Sequence, residues 1–133
     1  MIGLDSWIFL EYYTSGTKRD KCEKLIFGEE RKVISTIVLM EMLYKLTRKL
    51  GRIKAKEFVR NIICSTSINP VNVDSDIAEK AANLRLKYYK NKVKELSYAD
   101  CTHLATAILS KCEKFYSGDP DFKGIKEIPI EII

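Results

Sequence analysis

The segment Met1-Ile2-Gly3-Leu4-Asp5-Ser6 joins a short apolar run to an acidic residue and a candidate helix cap. A short apolar run followed by a helical pattern is typical of a strand in a parallel sheet. Acidic residues follow in a similar setting three more times. These stretches are Val33-Ile34-Ser35-Thr36 leading to Glu41, Ser97-Tyr98-Ala99-Asp100 at the start of a helix, and Phe115-Tyr116-Ser117-Gly118-Asp119-Pro120-Asp121.

Acidic residues at the carboxyl ends of neighbouring parallel strands are expected to meet in one crevice, because such strands lie about 4.8 Å apart. Carboxylates gathered there repel one another strongly unless a cation lies between them. The sequence therefore predicts a metal site that combines Asp5, Glu41, Asp100, Asp119 and Asp121.

The composition indicates one globular domain, residues 1–133, with 46% hydrophobic and 31% charged residues. No apolar run approaches the roughly 18 residues of a membrane span, and no basic leader precedes the first strand, so we expect a cytoplasmic protein. The four cysteines form no C-x-x-C pair and there is one histidine, which argues against a zinc site and favours buried thiols in a reduced compartment.

The net charge of +5 understates how basic the rest of the surface is, because several of the 18 acidic residues are assigned to the metal site. A basic rim around a metal-neutralised acidic centre suits a polyanion, and nucleic acid is the obvious candidate.

The order of apolar runs and helical patterns predicts a three-layer α/β/α sandwich with a central parallel sheet of four to five strands. Pro70 interrupts the strand predicted over 68–73 and argues for an edge position there. The predicted strands cover residues 1–5, 32–35, 68–73, 114–117 and 127–132. Two helices are predicted between Ser6 and about residue 28, and four more cover residues 36–50, 52–65, 74–89 and 97–111.

The acidic residues and their neighbours resemble the PIN domain, in particular the small VapC-type ribonuclease toxins of toxin–antitoxin pairs. The resemblance spans the whole chain and rests on four pieces in order: Asp5-Ser6, Ser35-x5-Glu41, Asp100 with Ala105 and Ala107 behind it, and Ser117-Gly118-Asp119-x-Asp121-Phe122. It implies an endoribonuclease that uses one or two Mg²⁺ or Mn²⁺ ions. It also implies a homodimer that a small antitoxin protein holds inactive.

The resemblance assigns metal ligation to Asp5, Glu41, Asp100 and Asp119, with Ser6 and Asp121 as auxiliary residues. Each assignment competes with a local structural role. Asp5 or Ser6 could simply cap the following helix, and Asp100 lies three residues after Ser97 in a capping-box pattern.

Glu41 is the most telling of these residues, because the surrounding helix is apolar almost all round. A buried, unpaired glutamate costs several kcal/mol or is held protonated, and a cation would resolve that conflict. The competing interpretation is a buried pair with a lysine or arginine. Gly118 is expected to permit a tight turn before Asp119, and we interpret His103 as structural. Asp74 and Asp76 resemble the site acids, but helix capping accounts for them better.

Two basic stretches are candidates for RNA binding, although both also suit a solvated helix face. The chain also has more large apolar residues than a core of this size readily absorbs, which predicts a dimer or antitoxin surface. These residues are Trp7, Phe9, Tyr12, Tyr13, Met40 and Tyr44. The RNA-binding candidates are Lys45, Arg48, Lys49 and Arg52 in the first basic stretch and Tyr88 and Lys90 in the second.

Three other functions stay open at this stage. The chain could be a catalytically silent PIN-like module that binds RNA or a partner, or a PIN nuclease for RNA maturation. It could also be a receiver-type phosphoacceptor domain, although that class lacks a buried glutamate such as Glu41 and needs a dedicated lysine near a late strand end.

Overall fold

The computed structural model describes all 133 residues, which form five strands, six α-helices and one 3₁₀ turn. Every predicted strand and helix is present, with ends within a few residues of those expected. The elements are β1 (Ile2–Leu4), α1 (Ser6–Tyr13), α2 (Arg19–Phe27), β2 (Lys32–Ser35), α3 (Thr36–Leu50), α4 (Arg52–Ile63), β3 (Ile68–Val71), α5 (Ser75–Tyr88), α6 (Tyr98–Leu109), β4 (Lys114–Ser117), the 3₁₀ turn Pro120–Phe122 and β5 (Ile130–Ile132).

The five strands form one parallel sheet in the order β3-β2-β1-β4-β5. This arrangement confirms the predicted fold class and the edge position of the strand that contains Pro70. β1 is the central strand, with β2 and β4 on either side. Asp5 therefore follows the middle strand, flanked by Ser35 at the end of β2 and Ser117 at the end of β4.

Helices cover both faces of the sheet, which gives the expected three layers. Alternating side chains of β1 separate the two cores: Ile2 and Leu4 join the cluster formed with α1 to α4. On the other face, the cluster formed with α5 and α6 includes Ala107 and Phe115. A Cβ atom added at Gly3 would lie 2.6 Å from the Cβ of Ala107, so α6 packs very close to the sheet.

Helix caps fall where the sequence placed them. The Asp74 carboxylate accepts a hydrogen bond from the Ile77 N–H at 2.9 Å and so begins α5. β5 is shorter than expected, because it begins after Pro129, which has no N–H to donate to a neighbouring strand. All four cysteines are free thiols; three are buried, but Cys64 at the end of α4 is exposed, contrary to expectation. No helix is both long and apolar enough to span a membrane.

Candidate active site

Asp5 is the central acidic residue of the candidate site and is almost fully buried, with 3% of its surface exposed. Its two carboxylate oxygens are both hydrogen-bonded: Oδ1 accepts from the Ser6 N–H at 2.8 Å, and Oδ2 accepts from the Ser117 hydroxyl at 2.6 Å. Asp5 is also the N-cap of α1, so its capping role is real and leaves the predicted catalytic role open.

The surroundings of Asp5 raise the pKa of its carboxyl group to about 6. Burial is the main cause, because it penalises the charged form, and the charges of Asp100 and Glu41 act in the same direction. His103 and the Ser117 hydrogen bond oppose the shift in part. Asp5 is thus a desolvated carboxylate within electrostatic range of two others.

Glu41 lies on α3 and is paired with two basic side chains. Its Oε1 is hydrogen-bonded to Nε2 of His103, and its Oε2 lies 3.8 Å from Nζ of Lys45, one helical turn away. Burial acts to raise the pKa of Glu41, but His103, Lys45 and the nearby Ser6 side chain together bring it below its ordinary value.

The expectation that Glu41 has no basic partner is therefore wrong. A helix turn separates residues 41 and 45, so their side chains share one face. One side of this largely apolar helix lies at the surface, because Met40 and Tyr44 are exposed. Glu41 lies at the border between the buried and exposed faces of the helix, where a lysine can reach it.

His103 on α6 is completely enclosed, and both of its ring nitrogens are used. Nδ1 is 2.8 Å from the hydroxyl oxygen of Ser35, and Nε2 contacts Glu41. We interpreted this residue as structural from the sequence, which did not reveal its link to the acidic centre. The available signal was its spacing: residue 103 lies one helical turn after Asp100 and shares its face of α6.

Asp100 occupies the first turn of α6 and completes the capping box that the sequence allowed. Its Oδ2 accepts from the Ser97 N–H at 2.9 Å, while the Ser97 hydroxyl accepts from the Asp100 N–H at 3.0 Å. Burial raises the pKa of Asp100 above its usual value, and the nearby charge of Asp119 adds to the effect. The carboxylate is thus both a cap and a member of the acidic group.

Asp119 and Asp121 point to different surroundings. The Oδ1 atom of Asp119 accepts a hydrogen bond from the Asp121 N–H at 2.9 Å, and the Asp119 N–H donates to the Ser117 hydroxyl at 3.0 Å. The Asp121 carboxylate instead accepts from the Glu95 N–H at 3.3 Å. Of the two, Asp119 is the one whose charge acts on Asp100.

The chain bends at Gly118, between β4 and the loop that carries Asp119. Its backbone is not left-handed, and a Cβ atom there would lie 2.2 Å from the Trp7 ring. The glycine gives Trp7 the space to pack beside the loop that carries Asp119.

The acidic residues are electrostatically coupled, but they do not form a ready coordination shell. No group of three or more His, Cys, Asp or Glu side chains is arranged to hold a metal ion. Each carboxylate is instead satisfied by protein donors, as described above. A surface cleft lies elsewhere, lined by Val71, Asp74, Asp76 and Lys80 among others. Asp74 is already used there as a helix cap, and the cleft lacks a buried carboxylate such as that of Asp5.

The six RNA-binding candidates differ in whether their side chains are already paired within the protein. Lys49, Arg52 and Lys90 are exposed on the surface. Arg48 lies against Tyr44, with its guanidinium 5.8 Å from the ring centroid, and Lys45 is paired with Glu41. The hydroxyl of the sixth, Tyr88, donates to Glu127 at 2.6 Å and accepts from the Lys126 N–H at 3.1 Å.

The family of this chain follows from its match to a known family model. A sequence model of the PIN domain family matches residues 2–128. The chain belongs to the PIN domain family. No curated protein sequence matches it closely.

Solved structures share this PIN fold over almost their whole length. VapC20 of Mycobacterium tuberculosis, a toxin that cleaves the sarcin–ricin loop, is 22% identical, with a TM-score of 0.78 over 97% of this chain and 99% of that one. A toxin–antitoxin complex from Klebsiella pneumoniae is 22% identical, with a TM-score of 0.70 over 96% and 93%. VapBC2 of Rickettsia felis, bound to a promoter DNA fragment, is 17% identical, with a TM-score of 0.73 over 99% and 98%.

Proposed function

We propose that this PIN-domain protein is a divalent-metal-dependent endoribonuclease that acts as the toxin of a toxin–antitoxin pair. The observation that carries the proposal is Asp5: a carboxylate buried at the end of the central strand, coupled to Glu41 and Asp100, with its pKa raised to about 6. A desolvated acid among other acids is costly for folding and is typical of functional sites. The PIN family membership and the VapC-type neighbours support the same activity.

The donor set fits Mg²⁺ or Mn²⁺. All candidate ligands are carboxylate oxygens, which these hard cations prefer, and there is no thiolate among them. Asp5, Glu41, Asp100 and Asp119 would hold one or two ions, and a nearby cation would favour the charged form of Asp5. When bound, such ions supply an activated water and stabilise charge on the phosphate.

The protein's own groups then have distinct tasks. The four acids would hold the cation in place, with Ser117 and the Ser6 N–H orienting Asp5 through the two hydrogen bonds on its oxygens. The Ser6 side chain and Asp121 would assist at the margin. Among the exposed basic residues, Arg48, Lys49, Arg52 and Lys90 suit contact with RNA phosphates. Tyr88 is better explained as a packing residue, and Lys45 as a partner of Glu41.

A small antitoxin and a second copy of the chain are the proposed protein partners. The exposed side of α3 and the start of α4 presents Met40, Leu43, Tyr44 and Ile53, with Ile53 85% exposed. Large exposed apolar side chains on neighbouring helices are typical of protein interfaces. Neighbouring structures include toxin–antitoxin complexes, which favours the toxin over a PIN nuclease for RNA maturation.

The decisive experiment is RNA cleavage by the purified protein with Mn²⁺, with Mg²⁺ and with a chelator. We expect cleavage with metal only, and its loss in Asp5→Asn and Asp100→Asn. Asp76→Asn is the matched control, because Asp76 lies on the surface in the first turn of α5, away from the acidic centre. Metal-dependent cleavage that persists unchanged in Asp5→Asn would rule out this assignment, and a complete lack of cleavage by the natural sequence would favour a silent binding module.

A further inference from the structure

The structure links the acidic centre to a buried polar pair that no catalytic assignment includes. His103 has 2% of its surface exposed, and Ser35 is fully buried. The imidazole lies between Ser35 and Glu41, with Nδ1 2.8 Å from the Ser35 hydroxyl oxygen and Nε2 hydrogen-bonded to the Glu41 carboxylate. It therefore connects the end of β2 with α3 and α6 at the carboxyl edge of the sheet.

The partners of His103 indicate which ring nitrogen donates and which accepts a hydrogen bond. Glu41 is a carboxylate acceptor, so the contact with His103 requires a proton on Nε2. A neutral ring then has a lone pair on Nδ1, which accepts from the Ser35 hydroxyl. Both ring nitrogens are used in this way, so His103 has no free nitrogen to offer a metal ion.

Ser35 shows that the link to His103 takes precedence over a local alternative. It is the N-cap residue of α3, a position where serine side chains normally accept a hydrogen bond from the first turn. Its hydroxyl makes no capping hydrogen bond and is directed to the imidazole instead. The serine thus holds the ring, and the ring holds one oxygen of Glu41.

We propose that His103 is a positioning residue of the nuclease centre, which holds the Glu41 carboxylate for the metal while Ser35 fixes the orientation of the imidazole. The inference rests on the proposed function, since it requires that Glu41 is a ligand. His103 holds Oε1 of Glu41. The other oxygen, Oε2, lies near Lys45, and the carboxylate is also close to Ser6, the residue next to Asp5. Outer partners of this kind orient metal ligands and typically change metal affinity about 10- to 100-fold when lost.

Two substitutions of His103 separate positioning from simple packing. In His103→Gln, the side-chain amide can replace Nε2 and still donate to Glu41. In His103→Asn, the amide is shorter and replaces Nδ1, so it keeps Ser35 but loses Glu41. Both variants bury a similar polar group, so a purely structural role predicts similar defects in the two.

The primary measurement is Mn²⁺ affinity by calorimetry on the protein without RNA, followed by kcat and KM for RNA cleavage. We expect His103→Asn to lower Mn²⁺ affinity about 10- to 100-fold and to lower kcat with little change in KM. His103→Gln should stay within a few-fold of the natural protein, and Ser35→Ala should fall between them. In a Glu41→Gln background, His103→Asn should lower Mn²⁺ affinity no further.

Equal losses in His103→Asn and His103→Gln would overturn the proposal, as would a full further loss in the Glu41→Gln background. If His103→Asn does not fold, Ser35→Ala decides: an unchanged Mn²⁺ affinity in that variant contradicts the inference. A natural protein that neither binds Mn²⁺ nor cleaves RNA would remove the proposed function itself. Normal Mn²⁺ binding and cleavage in every His103 and Ser35 variant would remove only the role of His103.

Discussion

Replacing Asp5 with asparagine should stabilise the metal-free protein at neutral and alkaline pH. The pKa of Asp5 is about 6 in the folded protein, against 3.8 for an unperturbed aspartate, which represents the unfolded chain. Above the folded pKa the carboxylate is charged in both states, and its burial opposes folding by about 3 kcal/mol, at 1.36 kcal/mol for each pKa unit. Asparagine removes that charge and has nearly the same shape.

The expected gain is smaller than the full electrostatic penalty. The Ser6 N–H can still donate to the asparagine oxygen, but the bond from the Ser117 hydroxyl to Oδ2 must rearrange. A single hydrogen bond is worth about 1 kcal/mol, so we expect a net gain of about 2 kcal/mol near pH 8. The gain should shrink as the pH falls through about 6. Below about 4 the carboxyl group of the natural protein is protonated in both states, so only the hydrogen-bond loss of about 1 kcal/mol should remain.

Urea denaturation in a chelating buffer across this pH range measures the effect. Asp76→Asn is the control for removing one negative charge from the surface. Saturating Mn²⁺ should reverse the order, because it stabilises the folded natural protein and has less effect on the variant. An Asp5→Asn protein that is less stable than the natural one near pH 8, or a stability difference that does not depend on pH, would refute the reasoning.

Three further predictions test particular contacts. Asp119→Asn should abolish RNA cleavage, whereas Asp121→Asn should reduce it only slightly, since the Asp121 carboxylate accepts a hydrogen bond from the Glu95 N–H; equal losses in a cleavage assay would contradict this division of roles. Tyr88→Phe should lower the free energy of unfolding by about 1 kcal/mol through loss of its bond to Glu127, without changing RNA affinity in a binding titration. Gly3→Ala should destabilise the fold by about 1–3 kcal/mol, because the new methyl group meets Ala107 at 2.6 Å; a neutral effect in urea denaturation would show that α6 can move away.

The sequence determined the order and type of every element and the class of the sheet. Apolar runs too short for helices, each followed by a helical pattern, leave a parallel sheet as the only efficient way to bury them. Local signals such as Pro70, Asp74 and the Ser97–Asp100 capping box also held, because they involve residues only a few positions apart. The small Ala105 and Ala107 of α6 suggested close packing on the sheet, but only the structure identified Gly3 as the residue they approach.

Only the tertiary structure decided which groups meet at the carboxyl edge of the sheet. Glu41 and His103 are separated by 62 positions, and Asp5 and Ser117 by 112, so no local pattern predicts their hydrogen bonds. Lys45 was a local candidate partner for Glu41, one helical turn away, whereas the imidazole of His103 reaches Glu41 only through the packing of α6 beside α3. Strand order and helix packing set these distances, and at such distances burial and neighbouring charge determine the charge state of each acid.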